Sequence, residues 1–304
     1  MQPVLVIQKA SSKKLISCDL FLQNQNSITT RRTYATELKL FAGFVRKEVQ
    51  DVTISDVLDF KTHLESQGLM PATIVKKLRS IGALFKFLYG QGMIERDPMT
   101  GLKLPKVRNE TAKDILSLAE SNHLIASIET DTLRGKRDKA ITALLLINGL
   151  RVCEIVRANI TDLARREDCW VLRVHGKCAK DADTRIRDDV YRVIKAYLDT
   201  RGDAGASEPL FIGTTHRSGL RMTTRTVQYM IKDRLSAIGI QREGVTTHSL
   251  RHSAITHLIR AGASLLNTQE FARHSNPQTT MRYIHMEDTI TKHAVMLNPI
   301  VVQG

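Results

Sequence analysis

Paired cysteines are missing from this chain, and the absence removes two classes at the outset. Cys18, Cys153, Cys169 and Cys178 form no C-x-x-C pair and no framework spacing. Neither a disulfide scaffold nor a thiolate zinc site of that type is indicated, and a reducing compartment fits. Long apolar runs are missing too. Residues 3–7 are apolar but too few for the h-region of a signal sequence, and nothing approaches the roughly 18 consecutive apolar residues of a membrane span. We expect a soluble, cytoplasmic protein. There is no G-x-x-x-x-G-K-[ST] loop and no acidic cluster with metal-site spacing, so no nucleotide, metal or other cofactor is expected. Internal repeats and low-complexity tracts are absent as well.

What the chain has in excess is positive charge. Lys and Arg number 45 against 31 Asp and Glu, a net charge of +14, which points to a polyanionic partner. Residues 1–112 hold 17 basic and 10 acidic residues and residues 113–304 hold 28 and 21, so each part carries +7. Two basic parts suit a clamp around a duplex better than one basic tail does. At 304 residues the chain also exceeds the size at which a single core is comfortable, and two domains are predicted.

Periodicity predicts helices first. Residues 28–47 place Leu38, Phe41 and Phe44 at 3–4 spacing behind Ser27 or Thr29 as cap. Ser55 is read as the cap of a second helix with Val57, Leu58, Phe60 and Leu64. Thr73 starts a third through Ile74, Leu78, Ile81, Leu84, Phe85 and Leu88. Gly90-Gln91-Gly92, Asp97-Pro98 and Leu104-Pro105 then mark a stop and an extended linker. Beyond it, residues 138–146 read as helix, Gly149 as turn and Glu154-Ile155 as the next helix start. Residues 170–174 alternate as a strand, residues 176–183 are turn material, and residues 184–187 are the hairpin partner. Further helices are predicted over residues 190–199, 224–238, 247–261 with Gly262 as C-cap, and 265–273. The fold class is mainly α with a small β-hairpin or sheet: a helical domain over residues 15–104, a linker over 105–112, and an α+β domain over 113–304 with a tail over 286–304.

The chemistry lies in the second part. His248 and Arg251 are three apart near a helix start, so both face one way and can reach a single phosphate. Arg251 and Arg151 each supply a planar fork that matches non-bridging phosphate oxygens. His274 and Tyr283 follow within the same stretch. A phenol with an ordinary pKa near 10 is ionised about once in a thousand at pH 7, a deficit of roughly 4 kcal/mol that nearby cations and a base must reduce. Stabilising the charge that develops on phosphorus matters more, since losing one preorganised donor costs about 3–4 kcal/mol and the site offers several. Lys177 is the candidate general acid for the leaving oxygen, with Lys180 competing. His248 and His252 are i and i+4 but lack the Glu of H-E-x-x-H, so a zinc reading is set aside. His252 and His257 are read as packing or helix-face residues, and Glu154 as a partner of a neighbouring arginine.

Thr247-His248-Ser249-Leu250-Arg251-His252, the later His274, and Thr279-Thr280-Met281-Arg282-Tyr283-Ile284-His285 resemble the signature of the tyrosine recombinases, the lambda-integrase family, with spacing nearest its Xer-type members. Gly149-Leu150-Arg151-Val152-Cys153-Glu154 resembles the family's first arginine box, and Gly176-Lys177 its β-hairpin lysine. Residues 30–105, with Thr33-Tyr34 and Asp97-Pro98, are similar to its helical core-binding domain. The resemblance implies Arg151, Lys177, His248, Arg251 and His274 as the phosphate-activating set. It implies Tyr283 as the nucleophile of a 3′-phosphotyrosyl intermediate, with strand exchange through a Holliday junction. It also implies a homotetramer on two double-stranded DNA sites, possible second recombinases or accessory proteins, and a C-terminal tail that packs on a neighbouring protomer. Ala272-Arg273-His274 stands where the family usually has Leu-Gly-His, which adds a cation beside the site. Cys178 replaces the usual glycine after the lysine. A type IB topoisomerase-like activity and an inactive DNA-binding scaffold are the alternatives.

Candidate DNA contacts are Arg31, Arg32 and Lys39; Lys76, Lys77 and Arg79; and Arg217, Arg221 and Arg225. Most are expected to touch phosphates and fewer to read bases. Affinity for duplex DNA should therefore fall steeply between low and physiological salt; a binding constant that stays flat in a salt titration would remove the clamp.

Overall fold

The computed structural model describes residues 12–106, 115–176, 181–214 and 218–287. The chain divides into two compact units, residues 1–109 and 110–304.

Among the described residues the first unit holds four α-helices, α1 (Ser12–Gln23), α2 (Ile28–Val45), α3 (Ile54–Ser66) and α4 (Pro71–Gly90), with a short 3-10 helix at Val49–Asp51. α4 touches the other three. Its residues Ile74, Leu78, Ile81, Phe85 and Leu88 recur at 3–4 spacing and are buried against Phe21, Leu38, Phe41, Phe60 and Leu64. Two starts differ from the sequence reading. α3 is capped by Thr53 rather than Ser55: the Asp56 carboxylate accepts from the Thr53 amide at 2.8 Å while the Thr53 hydroxyl accepts from the Asp56 amide. α4 begins at Pro71 rather than Thr73, because a proline at the first helical position gives up only a donor that has no intrahelical partner. α1 was not predicted.

The second unit holds α5 (Leu118–Ala126), α6 (Leu133–Leu146), α7 (Val152–Arg157), β1 (Leu163–Arg166), β2 (Cys169–Val174), β3 (Ala182–Ile186), α8 (Asp188–Arg201), α9 (Thr224–Ala237), α10 (Thr247–Arg260), α11 (Leu265–Ala272) and α12 (Pro277–Glu287). The strands form one antiparallel sheet in the order β1-β2-β3, with Leu163 opposite Leu172 and Trp170 opposite Ile186. The predicted hairpin is thus its β2–β3 half. β1 escaped because Leu163-Ala164-Arg165-Arg166 shows no alternation. α6 starts earlier than residue 138, where the Thr132 hydroxyl accepts from the Gly135 amide at 3.0 Å. α7 starts at Val152, ahead of Glu154. α5 was missed although Ser117 and Glu120 form a capping box, and so was α12. The expected tail over residues 286–304 lies outside the described residues from residue 288 on.

α6 and α10 run through this unit's interior and pack on each other. One buried ionic cluster fastens the bundle. Asp138, fully buried, accepts from Arg137 at 2.6 Å and from Arg234 of α9 at 2.7 Å. Arg137 also donates to the Ile212 carbonyl at 3.1 Å and to the Thr214 hydroxyl at 3.0 Å. Removing the shared carboxylate strands two cations, and the loss of one partner of a buried pair costs about 3–5 kcal/mol. Asp138→Ala should lower the urea midpoint of the second unit accordingly; a midpoint unchanged from wild type would show that the cluster is dispensable.

Candidate active site

The site begins where α6 ends. Gly149 has φ 57°, and a Cβ there would lie 2.8 Å from the Phe271 ring. Only glycine meets both the left-handed backbone and the close approach. Two residues on, Arg151 caps α7, and Glu154 reaches back from the first turn. Its carboxylate accepts from the Arg151 amide and from the Arg151 guanidinium, both at 2.8 Å. Glu154 is only 3% exposed.

α10 brings in the second arginine. Its start is set by the Thr246 hydroxyl, which accepts from the His248 amide at 3.2 Å, and by Ser249, whose hydroxyl accepts from the Thr246 amide at 3.0 Å. One turn later Arg251 is 2% exposed and donates to the carbonyls of Gly149 and Ala272. Burial, then the neighbouring Arg151 and Arg273, lowers its pKa to about 10. It stays charged at neutral pH.

α11 ends at Arg273, which takes φ 50°, ψ 47°, the left-handed conformation normally left to glycine. For a non-glycine residue that costs on the order of 1 kcal/mol. In return the Arg273 guanidinium donates to Glu154 at 2.8 Å. One buried carboxylate is therefore shared by Arg151 and Arg273. Burial works against the charged form of Glu154, but Arg273 and the hydrogen bonds from Arg151 outweigh it and hold the carboxyl below its ordinary value. Glu154 is thus the arginine partner that the sequence suggested.

His274 follows the turn, its amide donating to the Gln269 carbonyl at 3.1 Å and its Nδ1 lying 3.0 Å from the Thr280 hydroxyl. Burial, then Arg251 and Arg151, pushes its pKa down to about 4. Partial desolvation, then Arg251 and Arg151, lowers His248 in the same way. α12 carries Tyr283, 7% exposed, whose ring packs with Ile255 and Ala272. The His274 ring lies nearly parallel to it, 6.3 Å between centroids.

Arg151, His248, Arg251, His274 and Tyr283 thus converge. Lys177 and Lys180 lie outside the described residues. At the end of β2 the His175 ring meets Asp162 and Asp181 at 3.1 Å each. The structure corrects one reading: His252 is not a packing residue, because its Nδ1 hydrogen-bonds the Tyr283 hydroxyl. Its position one residue after Arg251 was a signal, but only the packing of α12 on α10 reveals the contact. His257 remains a helix-face residue, 3.3 Å from the Ser121 hydroxyl.

Among the candidate DNA contacts, Arg32, Lys39, Lys76 and Arg79 are exposed on α2 and α4. Arg31 donates to the carbonyls of Gln23 and Gln25 at the end of α1, and Lys77 pairs with Glu37. Arg225 stacks on Tyr229 with its guanidinium 5.3 Å from the ring centre. Arg221 is committed to the protein: it donates to the carbonyls of Val156, Arg157 and Ala158 and to the Asn159 side chain, closing the end of α7. Arg217 lies outside the described residues.

Residues 114–289 match the phage integrase family and residues 18–92 match the phage integrase N-terminal SAM-like domain, and the chain belongs to this family. It is 30% identical to the tyrosine recombinase XerC of Roseiflexus castenholzii, across 88% of this chain and 87% of that protein. It is 28% identical to the tyrosine recombinase XerD of Caulobacter vibrioides, across 88% of each. A crystal structure of the XerH site-specific recombinase bound to palindromic difH substrate has the same fold, with TM-score 0.73 and 20% identity over 96% of this chain and 90% of that one. The chain is an enzyme that breaks and rejoins DNA strands in site-specific recombination.

The depressed histidines carry a pH signature. His252 and His274 titrate near 4 in the folded chain, against about 6.5 when unfolded. As pH falls, the unfolded chain binds these protons first, so folded-state stability is lost between about pH 6.5 and 4. Glu154 acts in the same direction at lower pH. His175, raised chiefly by its bond to Asp162, acts oppositely: its stabilisation is present at acid pH and lost as pH rises through its folded value. The thermal midpoint of the DNA-free protein should decline from pH 6.5 to 4; a flat midpoint would mean that the two histidines are not held neutral.

Proposed function

We propose that Tyr283 is the nucleophile of a site-specific recombinase and that Arg151, His248, Arg251 and His274 hold the scissile phosphate. Tyr283 attacks phosphorus to form a 3′-phosphotyrosyl ester, and the 5′ oxygen leaves with a proton from Lys177. The ester conserves the phosphodiester bond energy, so the strand is rejoined by the reverse attack without ATP. Strand exchange runs through a Holliday junction in a homotetramer on two double-stranded sites in the cytoplasm. Residues 15–104 and 113–304 each bind the duplex, with Arg32, Lys39, Lys76 and Arg79 on phosphates, and the tail from residue 286 contacts a neighbouring protomer.

The observation that carries this reading is the concentration of cationic donors around a buried phenol. Three guanidiniums, Arg151, Arg251 and Arg273, face one carboxylate, Glu154, which leaves a formal excess of two positive charges for an anion to neutralise. Arginine has five N–H donors, and the bonds of Arg251 to two carbonyls leave others for phosphate oxygens. A developing charge on phosphorus would meet donors already in place.

Covalent trapping tests it. A nicked suicide duplex carrying a site selected for binding from a random-sequence library should yield a protein–DNA adduct on a denaturing gel with the wild type and none with Tyr283→Phe. If the wild type binds the site and never traps, the inactive-scaffold reading replaces this one. Relaxation of a single supercoiled circle without pairing of two sites would favour topoisomerase-like activity.

A further inference from the structure

The histidine that touches the nucleophile is not one of those assigned to the phosphate. Resting on the reading of Tyr283 as nucleophile, we infer that His252 is a further catalytic residue, the general base whose Nδ1 takes the Tyr283 phenolic proton as the oxygen attacks phosphorus. The geometry is direct. His252 lies on α10 immediately after Arg251, and its Nδ1 is hydrogen-bonded to the Tyr283 hydroxyl from α12, with ring centroids 5.3 Å apart at 34°. The Nδ1 of His274 is engaged with the Thr280 hydroxyl, and its ring stacks on Tyr283 at a greater centroid separation. The ring of His248 packs edge-on against His252, 4.7 Å between centroids. Each histidine thus has its own place: His274 beside the Tyr283 ring, His248 against the His252 ring, and His252 on the reacting oxygen.

The electrostatics suit the role. Burial, then His248 and Arg251, brings the His252 pKa down to about 4, so at neutral pH the ring is unprotonated and its Nδ1 can accept. A phenol near 10 does not give its proton to so weak a base in the free protein. The arriving phosphate places negative charge beside Arg251, which offsets one of the contributions, after burial and His248, that hold His252 down. Transfer then accompanies attack. The Tyr283 O–H bond breaks and the proton passes to Nδ1; the O–P bond forms; the P–O5′ bond breaks, and the 5′ oxygen takes its proton from the general acid. In rejoining, imidazolium His252 returns the proton to the departing phenol.

The test is single-turnover adduct formation on the same nicked duplex, using the full chain with either tyrosine or 3-fluorotyrosine at position 283. Fluorination makes the phenol more acidic, so a missing base matters less. His252→Ala should slow adduct formation about 100-fold or more with tyrosine, the usual scale of general base catalysis, and clearly less with 3-fluorotyrosine. Its rate should also climb more steeply with pH than that of the wild type. His252→Gln keeps a polar side chain without a titrating base and should behave like His252→Ala; this second variant guards against a folding defect, with DNA binding and thermal midpoint compared alongside. Equal losses with both phenols, or a wild-type rate in His252→Gln, would reduce His252 to a holder of the ring and overturn the inference while Tyr283→Phe still fails to trap. No adduct from the wild type on a bound site would overturn the nucleophile assignment itself.

Discussion

Burial of the Arg251 guanidinium constrains everything around it. An ion held away from water needs compensation of several kcal/mol, and here the nearest supply is two backbone carbonyls, Gly149 before α7 and Ala272 at the end of α11. The cation therefore ties together turns more than a hundred residues apart. Neither turn is free to relax: a side chain at Gly149 would meet the Phe271 ring, and the α11 turn closes through a left-handed Arg273. α10 is fixed between them, and with it the register of His248 and His252 on the same helix.

A second constraint is the imbalance of charge. Glu154 is shared by Arg151 and Arg273, and among the described residues the Arg251 charge beside them has two carbonyl dipoles as hydrogen-bond partners. Burial does most to keep His252 and His274 unprotonated; to it His248 and Arg251 add at His252, and Arg251 and Arg151 add at His274. A bound phosphodiester would relieve the repulsion among the cations and restore basicity to the imidazoles. Affinity for the anion and activation of the phenol are thereby two consequences of one electrostatic arrangement.

Much of the fold was legible in local pattern. The apolar spacing in α2, α3 and α4 and the alternation in β2 identified those elements, with boundaries missed where capping outweighed propensity, as at Thr53 and Pro71. α5 carried its own Ser117–Glu120 box and still went unread because its apolar face is short. α12 is short and holds few apolar residues, Met281, Tyr283, Ile284 and Met286, and it docks on α10 and α11. Arg221 shows the reverse failure: a basic residue that reads as a DNA contact is turned inward onto the carbonyls at the end of α7.

By itself the sequence determined which groups exist for the chemistry: the Arg151 box with Glu154 one helical turn away, His248 and Arg251 on one helix face, and His274 and Tyr283 downstream. The first two are relations over three residues, which helix geometry fixes without help from the rest of the chain. It also determined that the molecule is mainly helical and strongly basic. Only the tertiary structure decided that Arg273 shares the carboxylate of Glu154, that Arg251 bridges two distant turns, and that His252 rather than a neighbour meets the Tyr283 hydroxyl. Those are contacts between elements far apart in the chain, set by packing, and no local spacing encodes them.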